Sequence, residues 1–255
     1  MFKHAIVRTP SPNISEGITS ASLGKPVYEA ALTQHAGYIA ALESCGVTVH
    51  VLKAEPGYPD ACFVEDTAVL AERVAIITNP GAPTRKGEEE TVEAALRDFY
   101  PGDHIEHIAA PGTLEGGDVM RVGDHFYVGL SARTNEEGAR QFFHFLGKHG
   151  YTGSTVTLHE MLHLKTGLAY LEDNLLLTAG EFISHPELVN FRTILIEMKD
   201  AYSANCIYVN GTVLIPAGYP VTKAKIEALG LPTREVEVSE FRKIDGGLSC
   251  LSLRF

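Results

Sequence analysis

The sequence predicts an α/β repeat fold built from blocks of two short strands, a Gly/Pro-rich corner and, in most blocks, a helix. Three observations lead to this. Blocks of that form recur about every 35 to 50 residues, a spacing typical of repeat and propeller architectures. Strong turn signals separate the paired apolar runs within the blocks. The two chain ends also read as halves of one further block.

In chain order, Ala5 to Val7 is a short strand entering a loop, and a helix is expected from Tyr28 to Ser44, with Gly46 after it. The stretch EDTAVLAERVAIITNPGAPTRKGEEETVEAALRDF is the first complete block. In the second, GGDVMRVGDHFYVGLSARTNEEGARQFFHFLGKHG, the turn Val122-Gly123-Asp124-His125 separates Val119-Met120 from Phe126-Tyr127-Val128. There Thr134 and Glu137 form a capping box, which starts a helix from about Asn135 to Lys148 that Gly150 closes. The third block, LAYLEDNLLLTAGEFISHPELVNF, has no obvious helix of its own. In the fourth, Asn210-Gly211 is a type I′ turn signal between Cys206–Val209 and Thr212–Ile215. The last residues, GGLSCLSLRF, read as a strand with no helix after it. If that strand pairs beside the N-terminal one, the chain closes into a ring of five blocks. The alternative is a set of unrelated hairpins in an α+β domain.

Composition bounds the function classes. A hydrophobic share of 45% with 21% charged residues is that of an ordinary soluble globular chain. No apolar run approaches the roughly 20 residues of a membrane helix, and the start lacks the apolar stretch of a signal peptide. We therefore expect a cytoplasmic protein, with residues 1–255 forming one catalytic domain and no membrane partner. A formal net charge of −11 disfavours nucleic acid, whose phosphates call for clustered Lys and Arg. The four cysteines, Cys45, Cys62, Cys206 and Cys250, include no C-x-x-C pair and no zinc-ribbon spacing, so they read as thiols, most of them apolar fillers.

Five constellations could carry chemistry. In PDACFVED, Asp60, Glu65 and Asp66 fall in one short stretch. They form either a solvated turn or a clamp for a planar cation such as a guanidinium, whose N–H groups a carboxylate can accept two at a time. In PGTLEGGD, Glu115 precedes two glycines that signal a tight corner or close backbone approach, and it is placed either in that corner or against a catalytic imidazole or the substrate. His159 and His163 formally match H-E-x-x-H, the zinc-peptidase pattern. The preceding residues are strand-like and Gly167 follows closely, so the helix that motif requires is not expected. Arg85 and Arg133 sit at block corners, where isolated arginines are solvated but paired ones grip a carboxylate. In KIDGGLSCLSLRF, Cys250 lies on the closing strand, facing away from Ser249 and Leu251, after a Gly-Gly like the one following Glu115. It is either a core cysteine or part of a central site shared between blocks.

Taken together, MFKHAIVRTP, ITSASLGKP, PDACFVEDTAVL, PGTLEGGD, VGDHFYVGLSARTNEEGARQ, LHLKTGLAYLE, PAGYP and FRKIDGGLSCLSLRF resemble, end to end, the dimethylarginine dimethylaminohydrolases of bacterial type, in the guanidino-modifying or pentein superfamily. The resemblance implies a five-bladed α/β propeller closed by its terminal segments, with the active site in the central channel. It implies Cys250 as nucleophile, His163 as acid and base, and Glu115 as the partner of that histidine. By the same resemblance Asp66, with Glu65 beside it, binds the guanidinium. Asp60, Arg85, Arg133 and the backbone near Ile18 meet the amino acid end; the bacterial pattern has Leu where this chain has Ile18. His159 has no role in the family. The implied reaction converts a methylated arginine to citrulline and methylamine or dimethylamine through a Cys thiouronium, with no cofactor or metal. The small, polar segment Pro10 to Pro26 is expected to be a mobile lid. Competing readings are an arginine deiminase-like hydrolase, a zinc peptidase on His159 and His163, and a non-catalytic arginine-binding protein. The preferred methylation state is left open. A homodimer is compatible with the sequence, though no interface residue stands out.

Overall fold

The computed structural model describes all 255 residues. The first strand, β1 (His4–Arg8), leads through helix α1 (Tyr28–Ser44) to β2 (Thr48–Leu52), which pairs with it in parallel. β3 (Ala68–Ala71) and β4 (Val74–Ile77) form an antiparallel hairpin, and α2 (Glu89–Leu96) crosses to β5 (Ile105–His107), parallel to β4. The pattern repeats with β6 (Val119–Val122), β7 (His125–Leu130), α3 (Glu136–Lys148) and β8 (Thr152–Thr157). In the next sheet, β9 (Leu168–Tyr170), β10 (Leu175–Thr178) and β11 (Arg192–Leu195) are joined by short 3-10 turns in place of a helix. β12 (Ile207–Val209), β13 (Thr212–Pro216), α4 (Pro220–Glu227) and β14 (Thr233–Val236) follow. After the short α5 (Ser239–Arg242), β15 (Leu253–Arg254) pairs antiparallel with β1, Ala5 opposite Arg254 and Ile6 opposite Leu253. The five three-stranded sheets are the blades of a closed α/β propeller, the chain ends sharing one blade.

The middle strands β1, β4, β10 and β13 are buried on both faces, which explains the unbroken apolar runs AIV, VAII, LLL and VLI, while β7 leaves His125, Tyr127 and Leu130 partly exposed. Alternation sends successive side chains to opposite neighbours. In β1, Ala5 and Val7 join the cluster shared with Ile207, Val209 and Leu214, while Ile6 joins the one shared with Ala75 and Ile77. In β10, Leu175 and Leu177 pack with Val213 and Ile215, while Leu176 packs with Met120, Val156 and Leu168. Ile76 completes the ring with Val119, Phe126 and Val128. The core is thus five seams between adjacent blades, and every blade depends on both neighbours. Each fully buried aliphatic side chain adds roughly 1.5–3 kcal/mol to a seam.

The helices follow their apolar faces. In α1, Ala31, His35, Tyr38 and Leu42 recur at helical spacing and are buried. In α3, Ala139, Phe142 and Leu146 do the same. The Asn210-Gly211 turn has positive φ at both residues, 48° and 94°, as a type I′ hairpin requires.

Two local expectations are corrected. The N-cap of α3 is Asn135, whose Oδ1 accepts the Gly138 N–H at 2.8 Å. The Thr134 hydroxyl instead accepts the Glu115 N–H at 3.1 Å, so the tertiary partner moves the cap one residue along. Cys250 is not on a strand: it sits in a 3-10 turn, Ser249–Leu251, and the strand is reduced to Leu253–Arg254. The alternation argument that set Cys250 opposite Ser249 and Leu251 therefore does not apply. Replacing the cap, Asn135→Ala, is expected to lower the unfolding free energy by about 1 kcal/mol in urea titration; an unchanged midpoint would return the cap to Thr134.

Candidate active site

Each blade's first strand is entered through a 3-10 turn or helix. These are Val64–Thr67 before β3, Gly116–Asp118 before β6, Leu164–Thr166 before β9, Met198–Ala204 before β12 and Ser249–Leu251 before β15. The candidate residues lie on or beside these corners: Glu65 and Asp66 on the first, Glu115 beside the second, His163 beside the third and Cys250 on the fifth. Two adjacent cavities open there, of about 170 and 360 Å³, and Cys250 and His163 line both. The smaller is walled by Ile18, Asp60, Asp66, Arg85 and Arg133, the larger by Glu65, Lys165, Asn205 and Ser249.

Glu115 is fully buried. Its Oε2 lies 2.7 Å from His163 Nε2, while Oε1 accepts from Ala82 N and Arg133 Nη1, each at 3.2 Å. Burial alone would raise its pKa, but the hydrogen bond to His163 helps hold it below the ordinary glutamate value. Burial opposes the imidazolium as well. The Asp66 charge, then the Glu115 hydrogen bond, outweigh that and raise the His163 pKa to about 9. The turn carrying His163 is anchored by Asp118, which accepts the Leu164 N–H at 3.0 Å and the Ser131 hydroxyl at 2.7 Å.

Asp66 is buried, with Arg85 Nη1 at 2.5 Å from one oxygen and Gly117 N–H at 2.9 Å from the other. Burial again pushes upward, and Arg85 brings the net shift down. The glycines after Glu115 answer to these distances. A Cβ on Gly117 would stand 2.9 Å from both Asp66 Oδ1 and His163 Nδ1, and one on Gly116 would stand 1.9 Å from the Glu65 carbonyl oxygen. Arg85 is also held by Glu88 and the Phe63 carbonyl, so only one of its five N–H groups is free. The expected grip of Arg85 on a ligand carboxylate therefore rests on one hydrogen, and its main partners are Asp66 and Glu88. Burial raises the Glu88 pKa to about 7 against the pull of Arg85. Asp60 accepts Ile18 N–H at 3.1 and 3.2 Å, tying the Pro10–Pro26 segment to the smaller cavity.

Cys250 is half-buried, and its Sγ accepts the Gly247 N–H at 3.4 Å. Burial, then the negative charges of Glu65 and Asp66, push the thiol up to about 12, so it is neutral without a ligand. Cys62 and Cys206 are buried in the core, and Cys45 packs against it from a partly exposed position.

His159 is exposed and His163 buried; neither lies on a helix, so the H-E-x-x-H spacing does not bring them to one face. One oxygen or ring nitrogen each of Asp66, Glu115 and His163 lie within 4.8 Å of one another, a geometry able to hold a cation. The Asp66 and Glu115 carboxylates and the His163 Nε2 already have Arg85, Arg133 and each other as partners.

Sequence reasoning passed over Lys165, Ser249, Asn205, Asp118 and Glu88. Lys165 Nζ pairs with Glu65 Oε1 at 2.5 Å, and Ser249 Oγ donates to Glu65 Oε2 at 2.8 Å. Lys165 and Asp118 stood inside noted motifs and Ser249 beside Cys250. Asn205 carried no signal but its place before a strand.

The chain is similar to known proteins in sequence and in fold. A model of the eukaryotic N,N dimethylarginine dimethylhydrolase family matches residues 19–201. The chain is 56% identical over its full length to the N(G),N(G)-dimethylarginine dimethylaminohydrolase of Pseudomonas aeruginosa, covering all of both chains, and 33% identical to that of Streptomyces coelicolor, covering 99% and 96%. A cysteine-to-serine variant of the P. aeruginosa enzyme, solved with citrulline, superposes with a TM-score of 0.98 at 56% identity over the full length of both chains. The N-terminal domain of the arginine dihydrolase ArgZ shares the fold, with a TM-score of 0.86 at 19% identity over 98% and 97% of the chains. The chain belongs to the dimethylarginine dimethylaminohydrolase family.

Proposed function

We propose that this chain hydrolyses Nω-methylated arginines to citrulline and methylamine or dimethylamine. One observation carries the reading: Cys250 and His163, with Glu115 behind the imidazole, border the same two cavities beside the Asp66 carboxylate. The name of the 56% identical relative and its citrulline complex support it. In this reading residues 1–255 work as one domain, because each corner belongs to a different blade.

The chemistry follows from the charges. A guanidinium entering beside Asp66 and Glu65 brings positive charge to Sγ, and the Cys250 thiol releases its proton to solvent. The thiolate attacks the guanidinium carbon. His163, protonated at neutral pH, gives a proton to the departing amine as the C–N bond breaks, and a thiouronium is left on sulfur. Neutral His163 then takes a proton from water and the oxygen attacks the same carbon; the new hydroxyl loses its remaining proton to solvent as the C–S bond breaks to release citrulline and thiolate. Nε2 bonds Glu115, so Nδ1 is the nitrogen that transfers the proton. Asp60, Arg133 and the Ile18 backbone meet the amino acid end, with the last N–H of Arg85. The protein's residues suffice for each step.

Citrulline formation from dimethylarginine, monomethylarginine and plain arginine should favour the methylated substrates. Faster turnover of plain arginine would make the chain a deiminase. Cys250→Ser should abolish turnover, and mass spectrometry should find the trapped adduct on Cys250 in the unchanged protein; full activity in the variant would exclude covalent catalysis. Glu115→Gln removes a charge that favours imidazolium, so the His163 pKa should fall from about 9 and the alkaline limb of kcat should move to lower pH. A limb that stays in place would detach it from the His163–Glu115 pair.

The segment Pro10–Pro26 is proposed as a lid. Ser20 lines both cavities, and its N–H and hydroxyl donate to Asp245 Oδ2 at 2.5 and 2.9 Å. Limited proteolysis should cut this segment less when citrulline is bound; equal cutting would make it a static loop.

A further inference from the structure

We infer that Asn205 is a positioning residue that fixes the Cys250 sulfur relative to His163. The inference rests on Cys250 being the nucleophile and His163 the acid and base, as proposed above. Asn205 follows the 3-10 helix Met198–Ala204 and, like Asp66 and Gly117, stands two residues before the first strand of its blade. It represents the fourth corner, which supplies no charged or nucleophilic group to the cavities.

The Asn205 side chain is buried and fully engaged. Nδ2 donates to the Lys165 carbonyl at 2.9 Å and to Ser249 Oγ at 3.0 Å, and Oδ1 accepts the Ser249 N–H at 2.9 Å. Those partners belong to two different corners. Lys165 is two residues from His163, and Ser249 is bonded to Cys250. A single amide thus spans the turn of the acid–base group and the turn of the nucleophile. Ser249 Oγ continues to Glu65 Oε2, and Glu65 Oε1 meets Lys165 Nζ, so Asn205, Ser249, Glu65 and Lys165 form a closed loop. The same amide also backs the donor to sulfur: a Cβ on Gly247 would stand 2.4 Å from Asn205 Oδ1, and Gly247 N–H is the group that donates to Sγ.

The position demands an amide. Leucine would leave the Ser249 N–H and the Lys165 carbonyl buried without partners. Aspartate keeps the acceptor but turns an oxygen toward the Lys165 carbonyl. It also adds negative charge near a thiol that Glu65 and Asp66 already oppose as an anion. The cavity for the amino acid end is walled by other residues, so a role confined to positioning should appear in kcat and in the thiol and leave KM nearly alone.

The test measures citrulline formation from dimethylarginine, and the alkylation of Cys250 by iodoacetamide across pH, in the unchanged protein and in two variants. Asn205→Ala is expected to lose about 100-fold in kcat, the cost of a displacement of about 1 Å. Its KM should stay within about threefold. Its alkylation curve should move to higher pH as the Gly247 donor loses its support. Asn205→Asp, close in volume, should move the curve further still, and it decides the matter if the alanine variant does not fold. A folded Asn205→Ala with kcat within about threefold of the unchanged protein, or an Asn205→Asp alkylation curve that does not move, overturns the inference. No citrulline from the unchanged protein would overturn the proposed function instead, and the alkylation curves would still report on Asn205.

Discussion

The antiparallel pairing of β15 with β1 is the contact on which the rest of the molecule depends. It is short, two register pairs, yet it joins the chain ends into one blade and closes the ring. Without it the middle strand of the first blade loses a neighbour, and two of the five apolar seams lose one wall, because Ile6 and Leu253 serve one seam while Ala5 and Val7 serve another. Closure also carries Ser249–Leu251 to the axis, one residue ahead of β15, where the other corners converge. The position of the Cys250 sulfur is therefore a consequence of ring closure more than of its own neighbours in sequence.

Convergence of five corners creates an electrostatic problem that the site's arrangement answers. Glu65, Asp66, Glu115 and Asp118 are all buried near the axis. Unpaired, such charges would cost several kcal/mol each. Arg85 is set on Asp66, Lys165 on Glu65, and His163 with Arg133 on Glu115. One result is a charged imidazole at neutral pH; another is a thiol held neutral by burial first and then by Glu65 and Asp66. A cationic ligand relieves the second condition without disturbing the first, so one field suits both a resting thiol and a ready acid.

Much of the fold was legible because its rules are local. The span of α1, the Asn210-Gly211 hairpin and the β6–β7 hairpin follow from caps, turn residues and apolar spacing, and the structure has them at the expected places. The α3 cap and the C-terminal strand were misread for a common reason. At Thr134 the hydroxyl serves the Glu115 N–H, 19 residues back at the entry to the same blade, and at Cys250 the chain turns because Asn205 and Glu65 hold Ser249. Both partners lie far away in sequence, where no local pattern registers them.

The sequence by itself determined helix α1, the hairpins β6–β7 and β12–β13 and the Gly-Gly corner after Glu115, since these depend on propensity, period and glycine positions; the C-terminal corner at Cys250 is the exception. Its motifs, taken together, also carried the family resemblance. The tertiary structure alone decided how the site is wired: that Arg85 spends its fork on Asp66 and Glu88, that Lys165 and Ser249 share Glu65, and that Asn205 ties two corners together. These are hydrogen bonds between residues 3 to 184 positions apart. Their partners are chosen by where ring closure brings each corner, and nothing in the sequence around either partner records that choice.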